Sequence, residues 1–199
     1  MVRRHLSAAP NGRGQRGATL LEVLVTLLIV SFGLFGLVGL QARLQSSEME
    51  SYQRSQALIL LNDMASRIEI NRRMASSYVT TAPLGAGATC PTATATRLQV
   101  DVKEWCNALQ GAAETSSGTK LGAMIGGRGC VQDLGNNEYL ITVAWQGLVP
   151  IAAPPEGVPC GKDLYDAAAP ASASEPAPAC SSDRCRRTVT TLVRIGNLS

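Results

Sequence analysis

The chain has 199 residues, with 18 Lys and Arg, 15 Asp and Glu, one His and six Cys, for a formal net charge of +3. The excess of base is local: residues 1–17 hold Arg3, Arg4, Arg13 and Arg16 and no acid, and without them 14 basic side chains face 15 acidic ones, a net of −1. That removes the bulk-charge argument for nucleic-acid binding. The only histidine, His5, lies in the same stretch, so the rest of the chain cannot build a Ser-His-Asp triad, a Cys-His pair or a His-ligated metal centre.

Residues 1–17 contain Pro10, Gly12, Gly14 and Gly17 and no apolar core, and read as an unstructured leader outside the fold. Ala18 to Leu40 then holds 23 residues with a single charge, Glu22. This is the length a helix needs to cross a hydrocarbon core of about 30 Å. A carboxylate in such a segment costs about 3 kcal/mol at mid-depth and less near the interface, so it asks for a partner charge. Cleavage after Gly17 would supply one, an α-amino group on Ala18, four residues before Glu22. A secretory signal would carry its small-residue cleavage site beyond a shorter apolar core, whereas here Gly17 precedes a long one. A plain membrane anchor needs neither Gly17 nor Glu22. The arginines of the leader place the N-terminus in the cytoplasm and the C-terminal domain outside.

Gly17-Ala18-Thr19-Leu20-Leu21-Glu22 and the apolar run after it resemble the prepilin leader and first helix of type IV pilins. The continuation Ser31-Phe32-Gly33-Leu34-Phe35-Gly36-Leu37-Val38-Gly39-Leu40-Gln41 is similar to the PilV minor pilins, or type IV pilus modification proteins. The resemblance runs over residues 14–74. It implies that a prepilin peptidase cuts between Gly17 and Ala18, that Ala18 is then methylated, and that Glu22 pairs with the amine of a neighbouring subunit during assembly. The first mature residue is Ala18 where the family usually has Phe.

No proline interrupts the chain from Ala18 to Pro83. After Leu40 the pattern turns amphipathic, with Leu44, Ala57, Leu58, Leu61, Met64, Ala65 and Ile68 on one face, so one helix is expected from Ala18 to about Met74. Residues 18–40 would be its transmembrane part and 41–74 its continuation, with a disulfide-bonded periplasmic domain from 75 to 199. Gly33, Gly36 and Gly39 lie at three-residue spacing within it. Residues 79–96, rich in Thr, Ala, Gly and Pro, read as a loop anchored only by Cys90. Leu98, Val100, Val102, Trp105 and Leu109, interleaved with Asp101, Lys103 and Glu104, fit a short helix from about Thr96 to Leu109, with Asp101 and Glu104 on a solvated face; Leu98, Val100 and Val102 would also alternate as a strand, but Glu104, Ala108 and Leu109 continue the helical pattern. Gly129 to Leu134 and Glu138 to Gln146 form a hairpin about Gly135-Asn136-Asn137. Tyr139, Ile141, Val143 and Trp145 share one face of its second strand and Thr142 and Gln146 the wetter one. Arg186 to Ile195 is the last strand, with Val189, Thr191, Val193 and Ile195 on one side; Ala167 to Ala179 before it is a low-complexity loop. The expected fold class is α+β, pilin-like: a long N-terminal helix, membrane-spanning in its first half, packed on a small antiparallel sheet.

Cys90, Cys106, Cys130, Cys160, Cys180 and Cys185 all lie beyond the membrane segment, and an even number in an exported domain reads as a disulfide framework rather than a zinc site. The preferred pairing is Cys106 with Cys130, Cys180 with Cys185 and Cys90 with Cys160, out of about 15 possible sets. Gly126-Gly127-Arg128-Gly129 lacks the lysine and hydroxyl of a phosphate loop and is read as a turn. Arg184, Arg186 and Arg187 are read as a solvated strand end. No catalytic residue, metal or cofactor is expected. Partners are other minor and major pilins, the prepilin peptidase and the inner membrane, with no direct nucleic-acid contact. The resemblance implies a minor pilin of a priming or tip complex, with indirect roles in twitching motility, adhesion or DNA uptake; a type II secretion pseudopilin and a tip adhesin are the alternatives.

Overall fold

A computed structural model describes residues 19–112, 115–116, 119–120, 124–167 and 180–196. The elements in chain order are α1 (Leu20–Ile70), a 3-10 helix (Arg72–Tyr78), β1 (Leu84–Gly85), α2 (Arg97–Leu109), β2 (Thr115–Ser116), β3 (Thr119–Lys120), β4 (Arg128–Gly135), β5 (Glu138–Gln146) and β6 (Arg186–Arg194). The chain divides into two units, Met1–Leu44 and Gln45–Ser199. In the first, the described part is the beginning of α1, whose side chains from Leu20 to Leu40 all stand exposed. It is long and apolar enough to cross a membrane.

In the second unit the rest of α1 lies on an antiparallel sheet of order β1-β4-β5-β6. Ala57, Leu61, Met64 and Ile68 recur at steps of four, three and four, which keeps them on one helical face, and they meet Val131, Tyr139, Ile141, Val143, Trp145 and Val193 from the sheet in a single core. The α+β architecture is therefore the one the sequence leads to. Leu58, one position off that stripe, is 41 % exposed. The helix stops at Ile70 rather than Met74, because Asn71 leaves helical geometry (φ −101°, ψ 37°) and the chain tightens into the 3-10 turn.

Thr96 caps α2: its hydroxyl accepts from the Gln99 N–H while the Gln99 side chain accepts from the Thr96 N–H, a complete capping box. Trp105 on α2 is fully buried and its Nε1 donates to the Leu60 carbonyl of α1 at 2.9 Å. α2 crosses β4 at Gly129, where a side chain would run into the Trp105 ring and, at 2.7 Å, Leu109 Cδ1. The hairpin is a two-residue turn in which Asn136 (φ 53°) and Asn137 (φ 60°) both sit in the left-handed region, as a type I′ turn demands.

Three expectations need correction. The 79–96 segment is tied down by more than Cys90: Leu84–Gly85 pairs with Gly129 and Arg128 as β1. The disulfides are Cys90–Cys106, Cys130–Cys160 and Cys180–Cys185, so the Cys106–Cys130 and Cys90–Cys160 pairing is wrong. The β1 crossing brings the 79–96 segment to α2, while Cys130 faces the other side of the sheet with Thr142, its cross-strand partner. The far face of β5 is not wet. Thr142 and Ala144 are fully buried, covered by the segment that Cys160 pins down, in which Gly161 lies close against Ala144. The low-complexity stretch expected at 167–179 lies, from 168 onward, outside the described residues.

Candidate functional site

Thr19 opens α1: its hydroxyl accepts from the Glu22 backbone N–H at 3.3 Å, and its carbonyl accepts from Val23 N–H at 3.2 Å. Thr19-Leu20-Leu21-Glu22 thus places a carboxylate at the third helical position, where the positive end of the helix dipole favours it. Glu22 is exposed and is the only charged residue between Leu20 and Leu40. The hydroxyls along the same stretch are turned inward on the helix itself: Thr26 Oγ1 donates to the Val23 carbonyl at 2.9 Å and Ser31 Oγ to the Leu27 carbonyl at 2.7 Å. Such back-bonding satisfies the polar atoms without water, which suits an apolar surrounding. A side chain built at Gly33, Gly36 or Gly39 would meet no other part of the chain. Gly17 and Ala18, the expected cleavage and methylation positions, lie outside the described residues.

A buried polar cluster fastens the other end of α1. Asp101 of α2 is only 1 % exposed and accepts from Tyr78 OH at 2.6 Å, Arg67 Nη1 at 2.8 Å and Arg97 Nη2 at 3.0 Å. Arg67 also donates from Nε to Asp63 at 2.9 Å and from Nη1 to Glu104 at 2.8 Å, and Asn71 donates to Tyr78 OH at 3.0 Å. Burial and the hydrogen bond to Asp101 push the Tyr78 phenol up to about 12. Burial works against the Arg67 charge, but its bonds to Asp63, Glu104 and Asp101 outweigh that and hold its pKa above the ordinary value. Asp101 is therefore no solvated-face residue: one carboxylate gathers the end of α1, the 3-10 turn and α2.

The arginines near the C-terminus are likewise internal anchors. Arg186, 2 % exposed, pairs with Asp183 at 2.6 Å and donates to the carbonyls of Val158 at 2.6 Å and Cys160 at 3.1 Å. Arg187 reaches Glu50 of α1 at 3.2 Å. Of the three, Arg184 alone stays exposed, as a solvated strand end would. Sequence spacing flags Asp101 only as a helical-face carboxylate and gives no sign of Tyr78, Arg67 or Asp183, whose partners are distant along the chain or lie in loops. The six cysteines are all paired, and among the described residues no group of His, Cys, Asp and Glu is placed to hold a metal.

An apolar first helix with a capped, carboxylate-bearing start, continuing into a helix-on-sheet domain, defines a pilin-like class of protein. Residues 12–38 match the prokaryotic N-terminal methylation motif, and residues 39–116 match the family described as Type IV pilin Tt1218. Over these residues the chain is similar to type IV pilins, which are structural proteins, and to the prepilin methylation motif. No curated protein and no solved structure matches it significantly.

Proposed function

We propose that the protein is a minor pilin of the PilV kind. It is held in the inner membrane by residues 18–40 with its C-terminal domain in the periplasm, cut by the prepilin peptidase between Gly17 and Ala18, methylated on Ala18, and built with other minor and major pilins into the priming or tip complex of a type IV pilus. The observation that carries this reading is Glu22: a lone exposed carboxylate on an apolar helix, with no internal partner charge among the described residues. Helix capping alone does not explain it, since the cap bond runs from the Glu22 backbone and survives any side chain. A carboxylate here opposes insertion by up to about 3 kcal/mol and calls for a partner charge. The amine of an adjacent subunit offsets it, and removing the carboxylate then leaves that amine unpaired.

Two measurements test this. Mass spectrometry of the mature protein should find Ala18 at the N-terminus, methylated; an intact chain from Met1 in cells with active peptidase excludes processing. Glu22→Val should leave insertion and cleavage intact while reducing pilus number and the mutant's share of sheared filaments. Wild-type levels of both would refute the assembly role of Glu22.

A further inference from the structure

Between the second-unit part of α1 and the start of β6 lies an open cleft of about 450 Å³, within the size range of ligand sites, roughly 300–1,000 Å³. Glu50, Ser51 and Arg54 line it from the helix, and Trp145, Arg187 and Thr188 from the sheet. Its charges do not cancel. Glu50 Oε1 is taken by Arg187 Nη2 at 3.2 Å and by the Leu148 N–H at 3.1 Å. Arg54, exposed and one helical turn beyond Glu50, has no hydrogen bond or ion pair among the described residues. Trp145 is 97 % buried, and its indole N–H, buried with it, has no acceptor among the described residues. With Glu50 taken by Arg187 and Arg54 left over, the cleft is net cationic and suits a carboxylate.

The strand at its mouth says what carries that carboxylate. β6 is the last strand of its sheet. The bonds from Gly147 N–H to the Cys185 carbonyl (2.7 Å) and from Ile195 N–H to the Asn137 carbonyl (2.9 Å) fix the odd-numbered residues of β6 as the ones facing β5. The N–H and C=O groups of Thr188, Thr190 and Leu192 then face away from β5, where the sheet has no further strand among the described residues. This row begins at Thr188, inside the cleft. Beside it Leu148, Val149 and Ile151 are each 41–49 % exposed. An open edge calls for extended backbone, an apolar rim for aliphatic side chains, and Arg54 for an acid. A second copy of β6 does not meet the last need, because that strand holds Arg186, Arg187 and Arg194 and no acid.

We propose that an extended segment of a partner polypeptide adds to the open edge of β6 and places a Glu or Asp carboxylate against Arg54, with aliphatic neighbours over the 148–151 rim. This stands apart from the role of Glu22, and its test involves no filament. The full chain in detergent is titrated with a fluorescein-labelled peptide Thr-Val-Glu-Val-Thr, its Glu→Gln counterpart and a form N-methylated at alternate residues. The acidic peptide should bind about two- to fivefold more tightly than the Gln form, as expected for an ion pair to an exposed arginine. Arg54→Gln should abolish that preference, and N-methylation should weaken binding. Equal binding of the Glu and Gln peptides, an undiminished preference in Arg54→Gln, or no binding up to about 1 mM overturns the proposal. Competition by free glutamate as effective as the peptide itself also overturns it, since the cleft would then be a small-anion site. Arg54 is an exposed helical residue, so its substitution leaves the fold intact, and an unchanged melting temperature verifies this.

Discussion

Asp101→Asn tests whether one buried carboxylate fastens α2 to the end of α1. Asparagine keeps the shape and one acceptor oxygen but turns an NH₂ group toward donors. Three bonds are at stake: Tyr78 OH at 2.6 Å, Arg67 Nη1 at 2.8 Å and Arg97 Nη2 at 3.0 Å. They are unequal. Arg97 is 64 % exposed and returns to water at little cost, and Arg67 keeps Asp63 and Glu104, so the loss falls mainly on the Tyr78 bond and part of the Arg67 bond. At about 1.5–3 kcal/mol for a hydrogen bond to a charged group, the sum is about 3 kcal/mol. In a domain of this size that lowers Tm by roughly 6–12 °C. Thermal unfolding in detergent, followed by tryptophan fluorescence, isolates the second unit, because the protein's two tryptophans, Trp105 and Trp145, both lie there. Glu104→Gln is the control, since that carboxylate is 54 % exposed and its pair with Arg67 contributes under about 1 kcal/mol. A shift below about 2 °C for Asp101→Asn, or an equal shift for Glu104→Gln, refutes the reasoning.

Three further outcomes follow from the same packing. Gly129→Ala should destabilise by about 2 kcal/mol or more in the same melt, because the new methyl must displace the Trp105 ring and Leu109; an unchanged Tm counts against the close crossing. Tyr78 is neutral below its ordinary value of 10 and its raised folded value is about 12, so its contribution to stability is complete below pH 10 and lost as pH rises to about 12. Tyrosinate absorbance should accordingly lose a component titrating near pH 12 in Tyr78→Phe, and superimposable titrations would contradict this. Replacing Cys130 and Cys160 by Ser should cost about 3.5 kcal/mol, against about 2 for Cys180 and Cys185, because the loops span 30 and 5 residues; the reverse order would show that chain entropy does not govern the difference.

What the sequence disclosed was local or periodic. The 3.6-residue recurrence of Ala57, Leu61, Met64 and Ile68 marks the buried face of α1, the amphipathic run from Thr96 to Leu109 marks α2, and Gly135-Asn136-Asn137 marks the hairpin. Glu22 was legible for a related reason, being a single charge where every neighbour is apolar. What escaped was set by long-range neighbours. Asp101 follows the spacing of a wet helical face, and only the approach of Arg67 and Tyr78 makes burying it tolerable. Thr142 sits at an outward position of a half-buried strand until the Cys160 segment folds over it. β1 is two residues long and carries no periodicity to detect. The cysteine pairing depended on which side of the sheet each loop crosses, which spacing does not encode.

That pairing has a consequence for how the protein is made. Taken along the chain, the six cysteines join first to second, third to fourth and fifth to sixth, so no ring encloses or threads another. A polypeptide delivered into an oxidising compartment in order of its sequence presents each even-numbered cysteine while its native partner is the only unpaired thiol already there. An oxidant that merely links consecutive thiols as they arrive thus produces the native set, and oxidation in that order leaves a disulfide isomerase nothing to correct.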